Sequence, residues 1–180
     1  MTSLISLYSV VKAISVPYGR RSSGRLIKGP PNPVTVGEFY IQATDFWDAV
    51  KASFPQVAEV FNSRPEDETV AKYRHENGGH FLFRPFCLVV FAKTVRVLMS
   101  RGFSIADSLK VLAGIQMDIG KDPWCHVVWN PNKRTMINKN EPLIRNLLLS
   151  LTGQPLSPND FDLNVEYKKT VGEAQTSFRP

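Results

Sequence analysis

The residues best suited to metal chemistry lie between positions 75 and 80, where His75 and Glu76 are followed by His80. Zinc proteases place two histidines one helical turn apart with a glutamate between them, so that both imidazoles bind the same Zn²⁺. In this chain the histidines are five positions apart, and Gly78 and Gly79 interrupt any helix between them. The spacing therefore predicts a helix end followed by a loop histidine, and no metal site.

Cys87, Cys125 and His126 are further candidate nucleophiles or, together with His80, zinc ligands. They supply neither a C-x-x-C pair nor two histidines at zinc-finger spacing. Cys125 and His126 are neighbours in a segment predicted to be extended, where adjacent side chains point to opposite faces and cannot pair as nucleophile and base. Cys87 lies in an apolar run, which favours a small core residue.

Glu166 and Lys168 have the Glu-x-Lys spacing that some metal nucleases place on a strand, with Asp160 or Asp162 upstream. Such enzymes cleave phosphodiesters with a Mg²⁺ ion held by clustered carboxylates. The segment is polar, contains spaced prolines and follows the core elements, which favours a solvated charged tail. A metal-dependent nuclease is therefore kept as an alternative function only.

The basic residues are segregated along the chain, which carries a formal net charge of +6. Residues 1–34 contain no acidic residue, whereas residues 59–68 are rich in acids. Cationic loops bind phosphate backbones without sequence preference, and a second cationic cluster lies beside Trp124 and Trp129, which could stack on bases. The pattern predicts nucleic-acid contacts at seven basic residues: Arg20, Arg21, Arg25, Lys28, Lys133, Arg134 and Lys139.

The spacing of apolar residues predicts a mainly α-helical, multi-helix domain over residues 1–153, with one short β or extended element near residues 124–129. A basic loop is expected at residues 17–34 and a weakly ordered tail at residues 154–180. Capping boxes at Thr35 and Ser104 predict helix starts, the second for a helix over residues 105–117. A buried helix is expected to begin at Pro85, and a leucine-rich helix at Glu141 is expected to end at Gly153.

The run GGHFLFRPFCLVVFAKTVRVLMSRGFSIADSLKVLAG, followed by WNPNKRTMINKNEPLIRNLLLSLTG, resembles the C-terminal half of DGQHR-domain proteins. This DndB-like family is associated with DNA phosphorothioation and related DNA-modification or defence systems. The opening SLISLYSVVKAI is similar to a helix of the same half, so the resemblance covers residues 3–153. The residues that match the family's patterns are Arg84, Pro85, Trp129, Asn130 and Pro131. The Asp-Gly-Gln-His-Arg motif of the N-terminal, ParB-like half is absent from this sequence.

The resemblance and the charge together imply an accessory or regulatory domain of a DNA-modification or phage-defence system, which binds DNA backbone or a partner subunit without catalysis or a cofactor. Arg84 and the Trp129–Pro131 turn would then contact DNA or, as the preferred interpretation, brace the fold. The alternative is a protein interaction module that completes another chain's fold or forms a homo-oligomer, and such a half-domain should expose an apolar patch.

The sequence predicts no secretion signal, because the apolar N-terminal stretch has no basic region ahead of it and no small-residue cleavage site. It predicts no membrane helix, because no run reaches the ~18 apolar residues that a membrane span requires. Two cysteines also make no disulfide framework. The expected location is therefore the cytoplasm.

Overall fold

The computed structural model describes residues 4–15, 33–156 and 162–172. Within these ranges the chain is mainly helical with one small antiparallel sheet, which confirms the predicted fold class. The helices are α1 Leu4–Ser15, α2 Pro33–Ser53, α3 Pro55–Asn62, α4 Thr69–Lys72, α5 Pro85–Ser100, α6 Ile105–Ala113, α7 Glu141–Leu151 and α8 Leu163–Val171. The strands are β1 Trp129–Asn130 and β2 Thr135–Met136.

The centre of the structure is α5, which packs against α1, α6 and α7. Its sequence is apolar on nearly every side, so it can be stable only when other elements surround it. Thr94 is completely buried in this helix, and its hydroxyl donates to the carbonyl oxygen of Val90 at 3.0 Å. The helix begins at Pro85, whose missing N–H removes nothing from the first turn.

The helix after α5 confirms the cap predicted at Ser104 and corrects the predicted length. The Ser104 hydroxyl oxygen accepts the backbone N–H of Asp107 at 3.0 Å, which satisfies a donor of the first turn. The helix ends at Ala113 and not at residue 117. Ile115 and Met117 are still buried, but they reach the core from a loop whose Met117 carbonyl accepts the N–H of Phe81 at 2.7 Å.

The start of α2 also differs from the prediction, because the helix begins at Pro33 and encloses Thr35. Proline is well suited to the first helical position, so it replaces the predicted threonine cap. The predicted basic loop therefore loses its last two residues to α2. Its four basic residues, Arg20, Arg21, Arg25 and Lys28, lie outside the described residues.

The segment near residues 124–129, predicted to be extended, is mostly a turn. A separate 3₁₀ turn at Phe81–Phe83 precedes α5. Residues 124–128 curl because the Trp124 carbonyl accepts the N–H groups of Val127 and Val128 at 3.1 and 2.8 Å. Strand pairing begins only at Trp129, opposite Met136, and the intervening residues 131–134 form the turn. The β-branched and aromatic residues of 124–128 therefore pack in the core and do not form a strand.

The C-terminal region contains one confirmed helix end and one correction. After α7, the N–H groups of Gly153 and Gln154 donate to the carbonyls of Ser150 and Leu149, each at 2.9 Å, which is the glycine-ended stop that the sequence predicts. The prediction of a weakly ordered tail is wrong for the segment that forms α8, because this helix packs against α7. Tyr167 is buried on that side, so tertiary contact orders a polar segment of low intrinsic preference.

Within the described ranges, no helix has both the length and the apolar character needed to cross a membrane.

Candidate functional site

Two residues of the second predicted cationic cluster, Lys133 and Arg134, lie on the turn between β1 and β2, whereas Lys139 lies between β2 and α7. The side-chain oxygen of Asn130 accepts the N–H of Lys133 at 3.0 Å and fixes the turn. Lys133 and Lys139 are exposed, so their ammonium groups face solvent. Arg134 has a left-handed backbone, with φ of 50°, and its guanidinium pairs with the Glu76 carboxylate at 2.8 Å. One of the three cations therefore already has an anionic partner.

The two tryptophans beside this cluster cannot stack on nucleic-acid bases, which corrects the prediction of a mixed cationic and stacking surface. Trp124 is fully buried and Trp129 is 4% exposed. The Trp124 ring packs on Phe81 with centroids 4.9 Å apart, and its indole N–H donates to the carbonyl of Gln116. What remains on the surface is a group of cations without an exposed aromatic platform.

Arg84 joins two of the segments that carry the family resemblance. Its Nε donates to the carbonyl oxygen of Gly78 at 3.0 Å, and Nη2 donates to the carbonyls of Gly78 and of His75, the latter at 3.3 Å. The guanidinium also lies 5.3 Å from the centre of the Trp129 ring, a cation–π arrangement. Burial, followed by the charge of Arg74, lowers the pKa of Arg84. The side chain acts as a brace between the 75–78 loop and the β1–β2 hairpin.

The two prolines among the residues that match the family's patterns lie next to this brace in the sequence or in the β1–β2 turn. Pro85 opens α5 directly after Arg84, and Pro131 is exposed in the β1–β2 turn. The sequence indicated the position of this brace but not its carbonyl acceptors, because backbone acceptors leave no residue-type signal.

His80 is held as a neutral, uncharged ring by its surroundings. Its Nδ1 accepts the N–H of Leu82 at 3.2 Å, so this nitrogen carries no proton. The aromatic rings of Phe54, Tyr73 and Phe83 pack around it. Burial lowers the pKa of His80 from 6.5 to about 4, while the nearby Asp118 opposes this shift.

His75 lies on the surface, where its Nδ1 accepts the N–H of Asn77 at 3.3 Å. The two histidines of the rejected zinc motif therefore have separate local roles. In the part of the chain that the structure describes, no three histidine, cysteine or acidic side chains form a group able to hold a metal ion.

The cysteines are not placed for nucleophilic chemistry. Burial raises the pKa of the Cys87 thiol, which lies fully inside the core next to the start of α5. Burial also raises the pKa of Cys125, and the charge of Asp122 adds to the effect. Both thiols are thus kept in the less reactive protonated form. His126 adopts a positive φ of 64° in a turn, so the predicted extended geometry of this pair is wrong.

The Glu-x-Lys pattern lies on α8 and not on a strand. Glu166 and Lys168 are two positions apart, so they point to different sides of the helix. The carboxylate of Asp162 caps this helix by accepting the N–H of Asn164 at 2.9 Å and that of Val165 at 3.2 Å. The strand-based nuclease arrangement is therefore absent here, and Asp160 lies outside the described residues.

A cluster of titratable side chains that the sequence did not indicate joins α3 to α4. The Glu59 carboxylate accepts hydrogen bonds from the Lys72 ammonium at 2.8 Å and from the Tyr73 hydroxyl. These bonds, with that from Lys72 the larger cause, lower the pKa of Glu59, and the same contacts raise the pKa values of Lys72 and Tyr73. The three groups satisfy one another on an exposed surface.

Among the described residues, an apolar groove of about 680 Å³ lies between α1, α2, α3 and α5. All of its lining side chains are apolar or aromatic except Thr44 and Asp48; the main ones are Leu7, Tyr40, Trp47, Val57, Phe61 and Leu88. Tyr40 is 71% exposed and Phe61 is 56% exposed, so aromatic faces meet solvent at the mouth. We refer to this surface as the apolar groove.

The exposed large hydrophobic side chains of the described ranges concentrate on three of the helices that form the groove. Seven of the eight lie on α1, α2 and α3, and they are Ile5, Leu7, Tyr8, Val36, Tyr40, Ile41 and Phe61. Scattered surface hydrophobics are ordinary, but a contiguous apolar groove of this kind usually marks an interaction site. Sequence reasoning anticipated such a patch without locating it, because each residue also fits the apolar stripe of a buried helix.

No family model, curated protein or solved structure matches this chain. The resemblance to DGQHR-domain proteins therefore stays a prediction that depends on the residues quoted for it.

Replacing Arg84 by methionine should destabilise the protein by about 2 kcal/mol, because the carbonyls of Gly78 and His75 lose their charged donor. Urea unfolding, followed by far-ultraviolet circular dichroism, measures the change. The matched control is Arg101→Met at an exposed arginine, which should change stability by less than about 0.5 kcal/mol. Equal midpoints for the two variants would contradict the bracing role.

The buried His80 should make the protein less stable in mild acid. The unfolded chain binds the proton near pH 6.5 and the folded chain only near pH 4, so stability falls as the pH drops from 6.5 to about 4. The loss from this residue is about 3 kcal/mol. His80→Asn keeps an acceptor for Leu82 and should remove much of the slope, whereas His75→Asn should not. Urea midpoints at several pH values provide the measurement, and parallel pH profiles for wild type and His80→Asn would exclude this cause.

Proposed function

We propose that this chain is an accessory or regulatory domain of a DNA-modification or phage-defence system, which acts through a partner subunit and not through catalysis. The observation that carries the proposal is the apolar groove, because it presents apolar and aromatic side chains to solvent, and such side chains dominate protein interfaces. The resemblance to the C-terminal half of DGQHR-domain proteins suggests the partner class. The N-terminal half of such a protein is the candidate to cover the groove.

The chemistry-bearing side chains support a role without catalysis because their polar groups serve the fold. Arg84 binds backbone carbonyls, His80 accepts a backbone N–H, and Asp162 caps a helix. The cysteine thiols are stabilised in their protonated form by burial. These groups would have to lose structural contacts or overcome burial before they could act on a substrate.

A second role, contact with DNA backbone, is favoured by the cations around the β1–β2 turn. Lys133 and Lys139 are exposed near Arg134, although the pairing of Arg134 with Glu76 reduces the local positive charge. The pair is 64% and 67% exposed, so a phosphate could compete for the guanidinium. DNA contact would then be electrostatic and independent of sequence.

The partner proposal predicts that the chain forms a complex with a purified DGQHR-containing N-terminal half of a family member. Phe61→Asp should weaken this complex at least tenfold, because a carboxylate would be desolvated in the groove. Isothermal titration calorimetry measures the affinity. Val165→Asp changes a side chain that is 62% exposed on α8 and should leave the affinity unchanged. Equal affinity for wild type and Phe61→Asp, or no complex at all, would exclude this use of the groove.

The DNA proposal predicts binding to duplex DNA that weakens steeply with salt. The double variant Lys133→Ala, Lys139→Ala should reduce the slope of log affinity against log salt by about 2. Glu76→Gln should strengthen binding by releasing Arg134 from its ion pair. Fluorescence anisotropy across a salt series provides both measurements.

The matched control for the DNA experiment removes two cations from the α5–α6 region. Arg101→Ala with Lys110→Ala makes the same change in net charge at exposed positions outside the β1–β2 hairpin. An identical decrease for both double variants would show a general charge effect and no site at the turn. Binding that is insensitive to salt would exclude backbone contact.

A further inference from the structure

We infer that a cleft separate from the apolar groove binds a small carboxylic acid with an apolar or aromatic body. The cleft lies where the end of α2, the segment 72–80 and the loop after α6 meet, and its volume is about 470 Å³, within the range of small-molecule sites. It shares no lining residue with the apolar groove, so this inference goes beyond the proposed function. Because His75 and His80 line it together, we refer to it as the histidine cleft.

The two histidines share one hydrogen-bonding arrangement. The Nδ1 atom of each ring accepts the backbone N–H two residues further along, from Asn77 to His75 at 3.3 Å and from Leu82 to His80 at 3.2 Å. A neutral imidazole whose Nδ1 accepts a hydrogen bond carries its proton on Nε2. Neither Nε2 atom bonds to another residue within the described ranges. Each ring therefore keeps one N–H donor for a ligand, and its use would not disturb the contact that holds the ring.

Two further side chains of the cleft hold unused donors. The Gln116 oxygen Oε1 accepts the backbone N–H of Asp118 at 3.0 Å, which leaves the amide NH₂ group as a donor on an exposed side chain. The Lys72 ammonium donates to both Glu59 oxygens, at 2.8 and 3.1 Å, and has a third proton. The Lys72 side chain is 61% exposed, so its ion pair with Glu59 contributes little to stability and a second anion can share the ammonium.

Acceptors of the cleft, in contrast, are engaged by the protein itself. The carbonyl oxygens of Gly79, Met117 and Asp118 accept backbone N–H groups at 2.9, 2.7 and 3.2 Å. The Asp118 carboxylate accepts the N–H of Gly120 at 3.0 Å, and its other oxygen lies 3.6 Å from the Lys121 ammonium. A ligand of this cleft must therefore supply hydrogen-bond acceptors.

A carboxylate matches these donors better than other acceptors do. Its two oxygens offer about four lone-pair sites, enough for the two imidazoles, the amide and the ammonium, whereas a single carbonyl oxygen offers about two. Its negative charge is also attracted by the Lys72 ammonium. A phosphate dianion would be repelled more strongly by the Asp118 carboxylate in the wall and by Glu59 beside Lys72. A single negative charge therefore fits the cleft best.

The rest of the wall is apolar and determines the body of the ligand. Phe54, Ile115 and Met117 line the cleft with side chains that are at least nine-tenths buried. The His80 ring meets the Phe54 ring edge to face, with centroids 6.4 Å apart. Burial lowers the pKa of His80 to about 4, so near pH 7 this ring is an uncharged donor beside an apolar surface. An aromatic or branched hydrocarbon group would displace water from this wall.

Nuclear magnetic resonance of the histidine rings tests the inference on the full chain, with phenylacetate as the probe. Long-range proton–nitrogen spectra distinguish Nδ1 from Nε2, and the chain has three histidines, of which His126 does not line the cleft. At pH 7 phenylacetate should shift the Nε2 signals of His75 and His80 along one saturating curve, with a dissociation constant of about 1 mM or below. The signals of His126 should stay unchanged.

Matched small molecules test each part of the ligand. Phenylacetamide keeps the shape and loses the charge, so it should bind at least about fivefold more weakly than phenylacetate. Phenethylamine carries the opposite charge and should not bind. Acetate and inorganic phosphate lack the apolar body and should bind at least about tenfold more weakly than phenylacetate.

Three variants assign the binding to the cleft, with affinities measured by isothermal titration calorimetry. His75→Phe removes an exposed donor and Lys72→Met removes the ammonium, so each should weaken phenylacetate binding about threefold or more. His80→Asn keeps an acceptor for Leu82 but loses the Nε2–H donor, and it should weaken binding about tenfold. Lys169→Met is the control and should not change the affinity, because Lys169 also forms an exposed ion pair with a glutamate but does not line the cleft.

The inference would be overturned if phenylacetate at up to about 20 mM produced no saturating shift of His75 and His80. An equal shift of His126 would overturn it too, as would an amide, an amine or phosphate that binds as tightly as phenylacetate. Affinity that is unchanged in both His75→Phe and Lys72→Met would place the acid elsewhere, whether or not His80→Asn folds. Because the cleft and the groove share no lining residue, these outcomes leave the partner proposal to its own test.

Discussion

The structure depends on the burial of α5, a helix that is apolar on nearly all sides. Such a helix must be covered completely, and α1, α6 and α7 supply that cover together with the 3₁₀ turn before it. Because these elements come from both ends of the chain, one buried helix brings together residues that are more than a hundred positions apart. Helix α2 packs on α1, α3 and α6, and the apolar groove lies between α1, α2, α3 and α5.

The same constraint determines what the polar residues near α5 can do. The segment 75–84 must return the chain from α4 to the first residue of α5, and it does so with two glycines of positive φ, Gly78 and Gly79. Adding a side-chain carbon to Gly79 would place it 2.3 Å from the Tyr73 carbonyl oxygen. Arg84 then fixes this tight path by donating to the carbonyls of Gly78 and His75. An arginine next to a glycine-rich loop, which could suggest phosphate binding, is here a structural brace.

Exposed apolar side chains concentrate on α1–α3, whereas exposed cations lie at the β1–β2 hairpin, none of whose side chains lines the groove. Their separation means that a protein partner and a polyanion would not compete directly for the same side chains. The Arg134–Glu76 pair links the hairpin to the 75–78 loop that Arg84 also holds. Occupation of the hairpin by phosphates would therefore act on an ion pair at the edge of this braced loop, and not on the groove.

The sequence by itself determined the elements whose causes are local: the apolar run of α5, the serine cap of α6 and the glycine that ends α7. Only the tertiary structure decided the path of residues 124–128, the burial of both nearby tryptophans, the order of α8 and the position of the groove. Those features depend on contacts between distant residues, such as the packing of Trp124 on Phe81. An aromatic residue has the same identity whether it faces solvent or the core, so composition alone could not distinguish a stacking platform from packing. The same holds for the basic residues. Their charge could be predicted from the sequence, but the ion pair between Arg134 and Glu76, which are 58 positions apart, could not.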